Sequence, residues 1–76
     1  MKDILETLIK SLVEHKEEVT ITEKEEGNII NLEVKVSPTD VGKVIGKQGR
    51  IAKSIRTVMK SIAGKEHKKV VVEFVD

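Results

Sequence analysis

The chain contains no cysteine, no tryptophan and no tyrosine, and it has one proline and one phenylalanine. Without cysteine, neither a disulfide framework nor a thiolate zinc site can brace the fold. The two histidines, His15 and His67, have no second histidine at a ligand spacing, so no metal site is expected. Long apolar runs are missing too, and none approaches the roughly 18 residues of a membrane helix. The opening MKDILETLIKSLVEH carries acids inside its apolar pattern, unlike a signal peptide. The expectation is a soluble, cytoplasmic protein. Scarce aromatics also argue against modules that stack bases on Phe, Tyr or Trp, because Phe74 reads as a core residue.

What is present is aliphatic and charged. The 76 residues suffice for one domain, spanning 1–76. A domain so short buries only roughly 60% of its unfolded surface, so Leu, Ile and Val must supply the core. The formal net charge of +1 hides an asymmetry. Residues 1–36 hold five Lys against nine acids, a net of 5 − 9 = −4, and residues 37–76 hold nine basic residues against four acids, a net of 9 − 4 = +5. Between Val41 and Lys65 lie Lys43, Lys47, Arg50, Lys53, Arg56, Lys60 and Lys65, with no acid. Such a one-signed block suits a polyanion partner; the plainer alternative is a solvated helix face. The acidic run Glu17, Glu18, Glu23, Glu25 and Glu26 reads as a solubilising patch about the first hairpin.

Periodicity gives the element order. Ile4, Leu5, Leu8, Ile9, Leu12 and Val13 recur at helical spacing, with a mixed-charge opposite face that suits core packing better than a lipid surface. Val19–Thr22 is β-branched, and residues 25–28 read as a turn. Ile30, Leu32, Val34 and Val36 alternate with polar residues as a strand with one buried face, paired with the first as a hairpin. Ser37-Pro38-Thr39-Asp40 reads as a helix start, with Ser37 as cap and Asp40 as a capping-box acid. A short helix follows, then a second from about Arg50 to Ala63. Its expected buried stripe is Ile51, Ile55, Val58 and Ile62, with Gly64 as its stop. The last strand, Val70–Val75, is the most apolar and is expected to be well covered. The order α-β-β-α-α-β predicts an α+β fold, a three-stranded sheet with three helices packed on one face.

Between the last two helices stands Gly46-Lys47-Gln48-Gly49. Glycines three apart allow a tight reversal and let a ligand approach the backbone. The helix that follows directs its free N–H groups at this turn, and Lys47 and Arg50 add charge, which suits a phosphate. A lone GxxG is otherwise an ordinary turn. Its place between two amphipathic helices, inside an acid-free segment, makes it more specific. The stretch Val44-Ile45-Gly46-Lys47-Gln48-Gly49-Arg50-Ile51, continuing to Ile55, resembles the signature of KH domains, V-I-G-x-x-G-x-x-I in loose form. The additional helix and strand at the N-terminus resemble the type II arrangement, over essentially the whole chain. A stand-alone domain of this length is similar to the KhpA-like group of small bacterial KH proteins that bind RNA.

The resemblance implies single-stranded RNA as partner, held without catalysis and without a cofactor. The loop Gly46, Lys47, Gln48 and Gly49 would hold the backbone of about four unpaired nucleotides. Val41, Gly42, Ile45 and Ile51 match groove-wall positions, and Arg50 and Lys53 match positions near the phosphates. Lys68 and Lys69 would add charge at a far rim; His67, in the same loop, reads as a solvated side chain, with RNA contact the lesser alternative. One copy reading so few nucleotides would bind weakly, and a homodimer or a second KH protein would supply avidity. The resemblance also implies such pairing, and a role as RNA chaperone or regulator. The alternative is a protein-interaction module with weak or no RNA binding of its own.

Other chemistry fits poorly. Gly42 to Lys47 departs from a P-loop in glycine spacing, and Gln48 stands where a Ser or Thr would bind Mg²⁺. Gly42 and Gly46 form GxxxG without a membrane helix around them. Serines 11, 37, 54 and 61 have no evident base–acid partners, so no nucleophilic triad is expected.

Overall fold

Alternating burial defines the sheet. In the computed structural model, which describes residues 1–75, strand β1 (Thr20–Glu26) pairs antiparallel with strand β2 (Ile29–Lys35). Strand β3 (Lys69–Val75) then pairs parallel with β2, giving the order β1-β2-β3. Ile30, Leu32 and Val34 of β2 point to one face and are buried, as are Ile21 of β1 and Val70 and Val72 of β3. Cross-strand registers such as Ile21↔Val34 and Leu32↔Val72 put these residues in line across the three strands. A one-residue slip would turn the whole set to solvent, so burial fixes the register.

Three helices cover that face. Helix α1 (Lys2–Lys10) buries Leu5 and Ile9, short helix α2 (Val41–Ile45) buries Val44, and helix α3 (Arg50–Lys65) buries Ala52, Ile55, Met59 and Ala63. Each fully buried Leu, Ile or Met contributes about 1.5–3 kcal/mol relative to exposure. The expected α+β order is therefore observed, and it is the type II KH topology.

Several local readings change. The first strand is not Val19–Thr22 but runs to Glu26, leaving Gly27 and Asn28 as a two-residue turn. Glutamates are tolerated there because β1 is an edge strand, where inward charge deters pairing with other chains. Helix α1 ends at Lys10, so Leu12 and Val13 follow it, although Val13 remains buried. Gly64 does not stop α3, which continues to Lys65. The stripe of α3 is rotated from its expected phase: Ala52, Met59 and Ala63 join Ile55 in the core, and Val58 stays 44% exposed. Small alanines near both ends let this helix sit close to the sheet.

The last strand is covered on one face only, and Val71 is 43% exposed on the other. Phe74 packs at the margin of the core rather than within it. Neither Ser37 nor Asp40 caps a helix with its side chain. The Ser37 hydroxyl bonds Thr39 Oγ1 at 3.0 Å, and Asp40 turns back to the segment after α1.

Candidate nucleic-acid interface

The loop between α2 and α3 is a backbone feature first. The Gly46 N–H donates to Gly42 O at 2.9 Å and closes α2. Gly46 then adopts φ 78°, ψ 174°, a region open in practice to glycine alone. Lys47–Gly49 form a single 3₁₀ turn, closed by Gly49 N–H donating to Gly46 O at 3.1 Å. Gln48 (φ 58°) and Gly49 (φ 72°) are left-handed, so three of the four loop residues have positive φ. The lysine and glutamine side chains are thereby thrown outward, and both are exposed. Beneath them the loop rests on Ile51: a Cβ built on Gly46 would lie 2.5 Å from Ile51 Cγ1.

Helix α3 begins directly behind this turn. No side chain caps its N-terminus, and its first turn holds no acid. The first amides of a 16-residue helix therefore face the loop without an acceptor from a capping side chain, at the positive end of the dipole. Arg50 donates through Nη2 to Gln48 Oε1 at 3.2 Å, holding its guanidinium over the same turn. Backbone donors, a dipole and two cations converge on one exposed site, which suits a phosphodiester.

A second cluster braces α2 from below. The buried Asp40 carboxylate accepts from the His15 backbone N–H at 2.9 Å and lies 3.1 Å from His15 Nδ1, both at Oδ2. Lys43 Nζ reaches Oδ1 at 3.3 Å and Glu14 at 2.8 Å. Burial alone would push the Asp40 carboxyl up; the bonds from His15, the Glu14 backbone and Lys43 outweigh it and hold it well below the carboxylate range. The same bond to Asp40 raises the His15 ring above its ordinary value, against some desolvation. Lys43 is raised, chiefly by its bond to Glu14. His15 is thus a tethering group. Of the seven basic residues between Val41 and Lys65, Lys43 serves the fold.

A family model described as KhpA/KhpB, KH domain, matches residues 2–74. The chain belongs to this KH family. It is similar to proteins named RNA-binding protein KhpA. The one from Clostridium acetobutylicum is 59% identical over 75 residues, covering 99% of this chain and all of the relative. That of Clostridium perfringens is also 59% identical over the same share of each chain. The Aquifex aeolicus protein is 45% identical over 76 residues, covering this whole chain and 96% of the relative. The family is one of RNA-binding domains, not of enzymes.

Within this KH domain the expected site residues group unevenly. Gly46, Lys47, Gln48, Gly49 and Arg50 run consecutively through the loop into α3, with half-buried Ile51 beneath them and Lys53 exposed one turn along α3. Val41, Gly42 and Ile45 lie on α2, with Gly42 exposed and the other two half-buried against the core. Ile51 also faces α1, where with Leu8, Ser11, Leu12, Ser54, Ile55 and Val58 it lines an apolar groove of about 220 Å³. Lys65–Lys69 lies at the opposite end of α3 from the GxxG turn, and Lys68 pairs with Glu25 at 2.8 Å. Arg56 and Lys60, noted in the sequence only as part of the basic block, line a second cleft of about 210 Å³ with Val70, Val71 and Val72. Their spacing from Lys53, three and seven residues, was the available signal that they share its face. Among the described residues no three His, Cys, Asp or Glu side chains are placed to hold a metal, and no helix is long and apolar enough to cross a membrane.

Proposed function

We propose that the chain, as a single KH domain over residues 1–76, binds single-stranded RNA in the cytoplasm without catalysis or cofactor. Gly46–Gly49 and the first turn of α3 clamp the sugar–phosphate backbone. Arg50 and Lys53 add charge, and Val41, Gly42, Ile45 and Ile51 form the aliphatic wall for the bases. The observation that carries this reading is the uncapped start of α3 behind a turn whose backbone is held by positive φ at Gly46, Gln48 and Gly49. Such a site binds RNA with little sequence demand and weakly per copy, which suits an RNA chaperone or regulator. The relatives' shared name, RNA-binding protein, supports the partner.

The test is anisotropy titration of short unstructured RNA with wild type and with Lys47→Asp/Gln48→Asp, checked by circular dichroism. The glycines remain, so the turn survives while two carboxylates meet the phosphate. Loss of binding in the variant supports the clamp. Equal binding by both proteins rejects it.

A second reading concerns protein partners. The groove between α1 and α3 is almost wholly apolar, and its lining residue Val58 and the neighbouring Ile4 are each 44% exposed. This favours pairing with a second copy or another KH protein through that face, which would raise RNA affinity by avidity.

A further inference from the structure

Helix α2 is too short to hold itself in place. It has five residues, Gly42 interrupts it, and only Val44 is buried. Isolated helices below roughly 12–15 residues are marginal in water, and an interior glycine weakens them further. Asp40 stands at the N-cap, where a carboxylate would ordinarily bond the first free amides, but it makes no such bond. It turns instead to a segment 25 positions earlier. Oδ2 accepts from the His15 backbone N–H at 2.9 Å and lies 3.1 Å from His15 Nδ1. Thr39 Oγ1 stands 3.3 Å from the same ring nitrogen. Lys43, one turn along α2, reaches Asp40 Oδ1 at 3.3 Å and Glu14 Oε1 at 2.8 Å. Through these side chains α2 is tied to residues 14 and 15.

The residue at the centre of this latch cannot meet RNA, because Asp40 is 0% exposed. What it sets is the placement of the helix that follows. Val41, Gly42 and Ile45 lie on that helix, and Gly46 opens the GxxG turn six residues after Asp40, about 9 Å along the axis. Without the carboxylate, the tie from Lys43 to Glu14 remains, but the Glu14 side chain is 74% exposed and such a pair constrains little.

We propose that Asp40 is a positioning residue for RNA binding: it fixes α2, and with it the groove wall and the first residue of the GxxG turn, against the segment after α1. This role rests on the RNA reading above, which it deepens. Its effect is preorganisation. A wall that takes its binding placement only part of the time lowers the apparent affinity by that fraction.

The experiment titrates tetrauridylate with wild type, Asp40→Ala, Asp40→Asn and the Lys47→Asp/Gln48→Asp loop variant, at a temperature where circular dichroism shows each folded. Removing an anion would by charge alone strengthen RNA binding, whereas a loosened α2 weakens it. Asp40→Ala should weaken binding about tenfold, as for a wall in place about a tenth of the time. Asp40→Asn keeps an acceptor for the His15 N–H and should fall between Asp40→Ala and wild type. Amide nitrogen relaxation by NMR should show Gly42 and Gly46 newly mobile or exchange-broadened in Asp40→Ala, with Leu32 of the central strand still rigid. A general loss of stability would not produce that contrast in the folded state. If Asp40→Ala binds as tightly as wild type or more tightly, while the loop variant fails to bind, the positioning role is overturned and the clamp is spared. Weakened binding with Gly46 unchanged in shift and relaxation overturns it too. Should Asp40→Ala not fold, Asp40→Asn decides: weaker binding with a mobile Gly46 supports the role, and affinity equal to or above wild type overturns it. If wild type binds no RNA, both readings fall.

Discussion

Gly46 and Ile51 touch with no space between them. A Cβ on Gly46 would stand 2.5 Å from Ile51 Cγ1 and 2.9 Å from Cβ and Cδ1, and the backbone there is at φ 78°, ψ 174°. Gly46→Ala therefore adds overpacking to backbone strain, each about 1–3 kcal/mol. The expected loss is on the order of 3 kcal/mol, a large share of a small domain's stability. Urea unfolding of the variant measures it, and a loss below about 1 kcal/mol contradicts this contact.

Gly49 should behave differently. It is left-handed at φ 72°, ψ 15°, but a Cβ there meets nothing within 4 Å. Only the dihedral is demanding, and asparagine tolerates it better than other L residues. Gly49→Asn should cost less than about 1 kcal/mol, and Gly49→Ala about 1–2 kcal/mol. The same urea series ranks the three variants, and Gly46→Ala should stand apart.

The phase of α3 can be tested by truncation. Met59 is fully buried and Val58 is 44% exposed, although the sequence pattern favours Val58 as the core residue. Met59→Ala should destabilise by about 2–5 kcal/mol. Val58→Ala should cost less than about 1 kcal/mol, the range of exposed positions. The reverse order in chemical denaturation would restore the phase expected from the pattern.

His15 and Asp40 make stability depend on pH from both sides. The His15 pKa is raised above its ordinary 6.5, so its contribution is complete below that value and fades as pH rises through the folded pKa. The Asp40 pKa is lowered from 3.8, so its contribution is present above that value and lost as pH falls towards the folded pKa. Glu17 and Glu18 reinforce the first effect, and Lys43 the second. Stability should peak between the two ordinary values. Thermal melts across pH should show His15→Gln flattening the neutral-to-alkaline decline and Asp40→Asn flattening the acidic one. A wild-type decline that persists in His15→Gln would place its origin elsewhere.

The sequence made the element order and the GxxG turn readable, because both depend on local chemistry. Alternation at Ile30, Leu32 and Val34 marks a half-buried strand, and glycines at positions 46 and 49 mark a backbone that bulkier residues resist. What stayed hidden depends on partners distant in the chain. Asp40 reads as a local capping acid, yet it bonds to a residue 25 positions earlier. Helix α3 has apolar residues over a wide arc, with Ala52, Ile55, Met59 and Ala63 on the sheet and Ile51, Ile55 and Val58 lining the groove with α1. Periodicity finds such an arc but not its centre, and it favours Ile and Val over the Ala and Met that the sheet takes. Arg56 carried the same positive charge in the sequence as its neighbours, and only the fold brings Phe74 and Val72 to it.

That second apolar side of α3 leads to the last prediction. Leu8 and Leu12 from the α1 region face Ile51, Ile55 and Val58 across an open groove, with Ser11 and Ser54 its only polar lining residues. If a second KH protein docks there, a charge at Val58 must be buried without a partner, which costs several kcal/mol. Val58→Glu should then weaken self-association by more than about tenfold, a change of 1.4 kcal/mol. The substituted position is 44% exposed in the single chain, so folding should be little affected. Sedimentation equilibrium over a concentration series measures the association directly. RNA titration of the same variant should show reduced avidity on long RNA and unchanged affinity for a tetranucleotide, because the GxxG turn is untouched. A wild type that stays monomeric at high concentration would turn the groove towards a different KH partner, and mixing with that partner would then be the assay in which Val58→Glu must fail.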